Sequence, residues 1–279
     1  MLIFNKRQLL TWMLFYPLLC LCIAGLLFAG DKSEKTNVPV FTPGSEVRVD
    51  VKGKGIGGDH FLVYVPSDYT DKQDWPVIFI FHGMNGQPNT WPFRQITNGE
   101  GFILIGMEYI LQGQSQLTKG EYVDYFRRER KSILEVKRYI SKHLKIDEKQ
   151  LFVTGMSKGG WHTSAVLESS PKVWAGAVIL AAGRSYNVDL ITNQNNKKLL
   201  RDKPIYIGAG EKDGNLDAAR KAALYYERLG AKVTLEVYEG AEHSFDHTAP
   251  KKLYDWLLAN SAVSDGKSDK ADENESAGK

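Results

Sequence analysis

The feature that most restricts the fold is a regular alternation of short apolar runs with longer amphipathic segments. The apolar runs, rich in β-branched residues, occupy residues 77–81, 102–106, 151–154, 173–180, 204–208 and 232–238. Such runs are typical of strands buried on both faces. Apolar residues at helical spacing lie between or after most of them, at about residues 122–144, 159–169, 216–229 and 250–259. The alternation predicts one α/β domain, with a mostly parallel central sheet and helices on both faces.

Two further apolar runs precede this pattern, at residues 46–52 and 61–66. They predict an antiparallel pair joined by the glycine-rich turn at residues 53–58. That turn has G-x-G-x-x-G spacing, but it joins two strands and opens no helix, so we do not interpret it as a dinucleotide site. The folded domain is therefore predicted to occupy residues 46–260.

The two ends of the chain differ from the domain in composition. Lys6 and Arg7 precede an uncharged apolar stretch at residues 9–30, which is long enough to span a bilayer. Positive charge before this stretch favours export of the domain after it. An uncleaved membrane anchor and a cleaved signal peptide within residues 1–30 are the alternatives, and both predict an extracytoplasmic domain, periplasmic or extracellular. Residues 31–45 are interpreted as a polar linker, and residues 261–279 as a disordered polar tail.

Charge and cysteine content exclude several classes of function. A net charge of +3 is too close to neutral to indicate nucleic-acid binding. The basic run at residues 127–131 falls in a segment with helical spacing and is interpreted as a solvated helix face. Both cysteines, Cys20 and Cys22, lie in the N-terminal apolar stretch. The domain therefore has neither a disulfide framework nor a thiolate metal site.

The pentapeptide Gly-Met-Ser-Lys-Gly at residues 155–159 directly follows a predicted strand and opens a predicted helix. This is the G-x-S-x-G pattern in the strand–turn–helix setting that its chemistry needs. Glycines two residues before and after Ser157 leave room for a strained turn. The helix N-terminus favours a developing negative charge. Ser157 is therefore the predicted nucleophile.

A serine nucleophile needs a base and an orienting acid, in the chain order Ser, acid, His. His243 follows the last predicted strand and is the favoured base, with His247 as the alternative. Asp213 follows the strand at residues 204–208 and is the favoured acid. Asp217 and Glu211 are the second and third candidates for the acid.

The oxyanion needs two backbone amides. One is predicted to be that of Lys158, whose side chain is expected to be solvated. The second is assigned to Met84, in the His-Gly-Met-Asn-Gly loop at residues 82–86. His82 precedes Ser157 in the chain and is interpreted as structural.

No cofactor or metal ion is predicted. Residues 213–224 begin like a calcium loop, but Ala218 and Leu224 stand where such a loop needs glycine and glutamate. His243, Asp246 and His247 are too few ligands for a metal site without further donors.

Four segments together resemble the α/β-hydrolase superfamily: residues 82–86, 155–160, 210–213 and 243–245. Within it, the chain resembles small esterases without a large cap: feruloyl and acetyl xylan esterases, polyhydroxybutyrate depolymerases, and the phospholipase/carboxylesterase and dienelactone hydrolase groups. The resemblance implies a Ser157–Asp213–His243 triad and a Met84/Lys158 oxyanion hole. Where dienelactone hydrolase itself has a cysteine, this chain has Ser157.

The first hypothesis is therefore hydrolysis of a small-molecule or polymer-linked carboxylic ester, with no nucleic-acid partner and with membrane contact if the N-terminal segment is uncleaved. Trp91, Trp161 and the loops at residues 111–121 and 184–203 are predicted to shape the substrate pocket. The alternatives are a serine amidase or peptidase on the same fold, and a non-catalytic, membrane-tethered binding protein. The sequence does not decide which ester is cleaved.

Overall fold

The computed structural model describes residues 39–51, 58–110, 117–244 and 250–261. These residues belong to one compact unit that begins at Pro39. The predicted anchor or signal peptide and the predicted tail after residue 261 lie outside the described residues, and so does most of the glycine-rich turn at residues 53–58. Part of the predicted linker is described: the Gly44 amide donates to the Val65 carbonyl, and Phe41 contacts the core.

In the described part of the chain, eight strands form a single sheet. In chain order they are β1 Glu46–Asp50, β2 His60–Tyr64, β3 Trp75–Phe81, β4 Ile103–Met107, β5 Ile146–Met156, β6 Gly176–Leu180, β7 Pro204–Gly210 and β8 Lys232–Tyr238. Their order across the sheet is β1-β2-β4-β3-β5-β6-β7-β8. The β1–β2 and β2–β4 pairs are antiparallel, and every other pair is parallel. The predicted α/β class with a mostly parallel sheet is confirmed.

The described residues form six α-helices. They are α1 Trp91–Ile96, α2 Lys119–Ile140, α3 Lys158–Ser169, α4 Gln194–Lys198, α5 Leu216–Arg228 and α6 Pro250–Ala259. Buried residues of α2, α3 and α5 share one large core with one face of the sheet. Buried residues of α1 and α6 form a second core on the other face. Helices on both faces therefore keep the central strands out of water, which explains why β3, β4 and β6 are buried along their whole length.

The predicted elements differ from the observed ones mainly at their ends. The strand expected at residues 173–180 begins only at Gly176, because Val173 lies in a turn closed by its amide and the Ser170 carbonyl. Helix α2 begins at Lys119, earlier than predicted, because Thr118 and Glu121 cap each other through side chain and backbone. Helices α1 and α4 were not predicted, since five or six residues show too little periodicity to be recognised.

Candidate active site

Ser157 occupies the sharp turn between β5 and α3. Its backbone has φ 57° and ψ −120°, a left-handed region that L-residues seldom adopt. Its amide donates to the Leu180 carbonyl at the end of the neighbouring strand β6, over 2.9 Å. Strain of this kind costs about 1–3 kcal/mol and persists only where the surroundings enforce it.

The two glycines of the pentapeptide are needed for close backbone approach. A methyl group on Gly159 would overlap the Phe81 carbonyl oxygen and lie 2.9 Å from the His82 carbonyl oxygen. A methyl group on Gly155 would lie 2.7 Å from the same Phe81 oxygen. The first turn of α3 can therefore pack against the end of β3 only if both positions lack a side chain.

Asp213 lies in the turn that follows β7. Its amide donates to the Gly210 carbonyl, and the Asn215 amide donates to its Oδ1 over 2.8 Å. The side chain is buried, with 1% of its surface exposed. The turn therefore orients the carboxylate through contacts that do not involve His243.

His243 reaches this carboxylate from the loop after β8. The Lys212 amide donates to the Ala241 carbonyl, which docks that loop on the Asp213 turn. His243 Nδ1 lies 2.9 and 3.0 Å from the two carboxylate oxygens of Asp213. Its Nε2 lies 2.9 Å from Ser157 Oγ on the other side of the ring. The structure thus brings the three predicted residues into one hydrogen-bonded line.

The alternative candidates for the acid make other contacts, and the alternative candidate for the base is not described. The Asp217 side chain is 85% exposed and is paired with Arg220 on α5. The Glu211 carboxylate accepts from the Gly240 amide. His247 is not among the described residues. Of the three candidate carboxylates, Asp213 is the one hydrogen-bonded to His243.

The loop after β3 lies beside the nucleophile turn. The Gly86 amide donates to the Gly83 carbonyl over 3.2 Å, which makes a turn with Met84 and Asn85 at its centre. His82 is buried, as expected of a structural residue, and its Nδ1 lies 2.7 Å from the same Gly83 carbonyl oxygen. Its Nε2 lies 2.9 Å from Glu108 Oε1. The carbonyl of the Gly83–Met84 peptide is thus held from two sides.

The Lys158 side chain is partly buried, and so less solvated than expected. Its Nζ lies 4.1 Å from the centre of the Tyr109 ring, a cation–π contact. Burial lowers the pKa of Lys158, while the carboxylates of Glu108 and Glu129 act in the opposite direction. Lys158 is therefore anchored by its side chain as well as by the backbone of α3.

The four basic residues of the run at 127–131 are exposed, as predicted for a solvated helix face, but Glu129 within the run is fully buried, which corrects the prediction at that position. Tyr125 Oη donates to Glu129 Oε2 over 2.8 Å, and the Ile110 amide donates to the same oxygen over 3.3 Å. Burial raises the pKa of Glu129 to about 7 and lowers that of the adjacent His162 to about 3. The sequence did hold a signal, since Glu129 lies three residues after Phe126 and four before Ile133, on the inward face of α2.

The two tryptophans predicted to shape a pocket lie on opposite sides of the sheet. Trp161 follows Ser157 by one turn of α3 and stacks on Tyr186. Trp91 begins α1, in the opposite helical layer, and is 47% exposed. Of the predicted loops, residues 111–116 are not described, and residues 184–203 contain α4 and a turn of 3₁₀ helix at Val188–Leu190. A small pocket that opens to solvent lies between α2, α3 and the turn after α3, away from Ser157.

Within the described ranges, no three His, Cys, Asp or Glu side chains are grouped as metal ligands. Over the same ranges, no helix combines the length and apolarity required to cross a bilayer. The predicted membrane segment precedes those ranges, so it stays a prediction.

The sequence matches the dienelactone hydrolase family over residues 63–275, about three quarters of the chain. The chain belongs to this family. Membership confirms the predicted resemblance and the predicted class of enzyme, a hydrolase that acts on esters. No curated protein sequence matches the chain.

Solved structures similar to this family member show the same fold. A thermostable esterase has a TM-score of 0.55 and 16% identity, covering 77% of this chain, which spans only 62% of that esterase. A ferulic acid esterase from Anaeromyces mucronatus, solved with ferulic acid, has a TM-score of 0.54 and 13% identity, over 80% of this chain and 91% of that one. A putative dipeptidyl aminopeptidase IV from Bacteroides ovatus has a TM-score of 0.55 and 15% identity, over 77% of this chain and 35% of the aminopeptidase. Esterases and a putative peptidase thus share this fold, so the fold alone does not choose the substrate.

Proposed function

We propose that the chain hydrolyses carboxylic esters through an acyl-enzyme formed on Ser157. His243 acts as the general base and Asp213 as the orienting acid. The observation that carries the proposal is the unbroken line of hydrogen bonds from Asp213 through both ring nitrogens of His243 to Ser157 Oγ.

The geometry supports a definite proton path. The Asp213 carboxylate is assigned as the acceptor, so Nδ1 of His243 carries the hydrogen and Nε2 keeps its lone pair towards Ser157. Nε2 takes the hydroxyl proton as Oγ attacks the ester carbonyl, and the buried carboxylate stabilises the resulting imidazolium. The tetrahedral intermediate expels the alcohol, which receives that proton from Nε2. Water then attacks the acyl-enzyme by the same steps and releases the acid.

The amides of Met84 and Lys158 are proposed as the oxyanion donors. Lys158 is the first residue of α3, where helical amides have no acceptor within the helix. The Gly83 carbonyl is held by His82 and Gly86. Because a trans peptide directs its N–H opposite to its C=O, this holds the Met84 N–H pointing away from the His82 ring. A preorganised donor stabilises developing charge without the cost of reorientation.

Turnover of an ester panel by the purified full-length chain tests this function. Ser157→Ala should remove turnover of every ester, whereas Ser169→Ala, at the far end of the same helix, should leave it unchanged. Undiminished turnover by Ser157→Ala would refute the acyl-enzyme. Short peptides assayed beside the esters separate an esterase from a peptidase. A folded protein that fails to react with a fluorophosphonate would favour the non-catalytic alternative.

Export of the domain by residues 1–30, as an anchor or a signal peptide, is a separate part of the proposal. It rests on the apolar stretch that follows Lys6 and Arg7. Mass spectrometry of the mature N-terminus in the membrane and soluble fractions distinguishes the two forms. An intact chain found in the cytoplasmic fraction would contradict both.

A further inference from the structure

Tyr186 has the most exposed large apolar side chain in the part of the chain that the structure describes, at 86%. Its ring stacks on that of Trp161, with centroids 5.1 Å apart and planes inclined by 18°. Trp161 therefore covers only a small part of the Tyr186 ring, and most of the ring is open to water. An open aromatic surface of this kind costs hydrophobic free energy unless something covers it.

The residues before Tyr186 are held firmly. The Ser185 amide donates to Ser164 Oγ over 2.8 Å, and Ser185 Oγ lies 3.0 Å from the Tyr122 hydroxyl. Arg184 donates to both carboxylate oxygens of Glu168, over 2.8 and 3.0 Å. Tyr186 thus projects from an anchored backbone, so its exposure is not that of a fraying loop.

Trp161 places this aromatic pair beside the nucleophile. Its amide donates to the Ser157 carbonyl over 3.0 Å, which makes it the residue one helical turn after the serine. Four residues of α-helix advance about 6 Å along the axis. Helical side chains lean towards the N-terminus, so the Trp161 side chain is directed towards the end of α3 that Ser157 caps.

We propose that Tyr186 and Trp161 form a subsite for a planar aromatic ring in the ester substrate. This inference rests on the proposed function, because it places the ring next to the ester bound at Ser157. A flat ring can continue the existing stack on the open face of Tyr186. The nearby charge of Arg184 is already paired with Glu168 and Asp189, which favours an uncharged ring.

Four substrates test the subsite: methyl 3-phenylpropanoate, with a ring in the acyl group; 2-phenylethyl acetate, with a ring in the alcohol; ethyl butyrate, with no ring; and an O-acetylated sugar. Tyr186→Ala should lower kcat/KM for at least one of the two phenyl esters by about 3- to 10-fold, the size of one aromatic contact. It should leave ethyl butyrate and the sugar ester within about twofold. Tyr186→Phe should retain wild-type preference, and Leu224→Ala, an exposed apolar change on α5, should alter none of the four.

An equal loss on all four substrates, or no loss on either phenyl ester, would overturn the subsite. A loss confined to the acetylated sugar would overturn the aromatic ring as the ligand. Equilibrium binding of 3-phenylpropanoic acid and 2-phenylethanol, the ring-bearing hydrolysis products, to wild type and to Tyr186→Ala separates this inference from the proposed function, because neither compound can be hydrolysed. If Ser157→Ala still turns over esters, the mechanism fails, whereas the Tyr186-dependent difference in binding still decides the subsite.

Discussion

Replacing Glu129 by glutamine tests how burial of this carboxyl group makes the free energy of unfolding depend on pH. Glu129 is fully buried, and burial raises its pKa from 4.5 to about 7. Glutamine has nearly the same shape, and its carbonyl can keep the hydrogen bonds from Tyr125 and the Ile110 amide. Its amide group replaces Oε1, a buried oxygen for which the described part of the chain supplies no hydrogen bond. The cost of burying that amide does not vary with pH.

The sign of the pH effect is set by the raised pKa. Between pH 4.5 and 7 the folded protein holds a proton on Glu129 that the unfolded chain has lost, so stability falls as the pH rises through this window. A pKa raised from 4.5 to about 7 corresponds to about 3 kcal/mol, at about 1.4 kcal/mol for each tenfold change in proton affinity. Glu129→Gln has no such proton to lose and should not show this decline.

Urea unfolding of both proteins between pH 4.5 and 8.5 gives the free energy of unfolding at each pH. The variant's stability relative to wild type should rise by about 3 kcal/mol across that range, whatever its value at pH 4.5. Glu135→Gln makes the same change on the outer side of the same helix. A hydrogen bond from Arg138 lowers the pKa of Glu135, so this control should give a flat difference. A flat difference for Glu129→Gln as well would refute the reasoning from burial.

Three further predictions concern the proposed catalytic line and its turn. Asp213→Asn should lower kcat by about 10⁴-fold in a continuous ester assay while Asp217→Asn lowers it less than about twofold, and equal effects would contradict the assigned acid. Gly159→Ala should destabilise the protein by about 3 kcal/mol or more in urea unfolding, because its methyl group would meet backbone atoms. The control Gly120→Ala has open space around it, so it should be neutral or slightly stabilising. Ser157→Gly should unfold at higher urea concentration than Ser157→Ala, by about 1 kcal/mol, since glycine tolerates φ 57°; a less stable glycine variant would show that the turn is not strained.

The sequence predicts the nucleophile of the candidate site more firmly than it predicts the acid. Ser157 was indicated locally, because the glycines and the flanking strand and helix lie within about fifteen residues of it. The choice among Asp213, Asp217 and Glu211 could not be made locally, since all three follow the same strand. The turn hydrogen bonds and the docking of the loop after β8 bring Asp213 to His243, and these contacts join residues about thirty positions apart.

The burial of Glu129 could not be predicted from the composition of its segment. Residues 127–131 resemble a solvated face because four of the five are basic, yet helical spacing turns Glu129 inward. Short elements were missed for a different reason, since α1 and α4 are too brief for a periodic signal. The stacking of Tyr186 on Trp161 was likewise hidden, because it joins a loop residue to a helix 25 positions earlier.

The sequence by itself determined the α/β class, the strand–turn–helix around Ser157 and the chain order of the candidate residues. These depend on backbone dihedral preferences and on the faces of strands and helices, which are local properties. Only the tertiary structure decided which side chains meet. The order β5-β6-β7-β8 places the ends of neighbouring parallel strands at one edge of the sheet, and so brings His243 to Ser157 across 86 residues of sequence. Such long-range contacts depend on how the whole sheet packs, which no short stretch of sequence specifies.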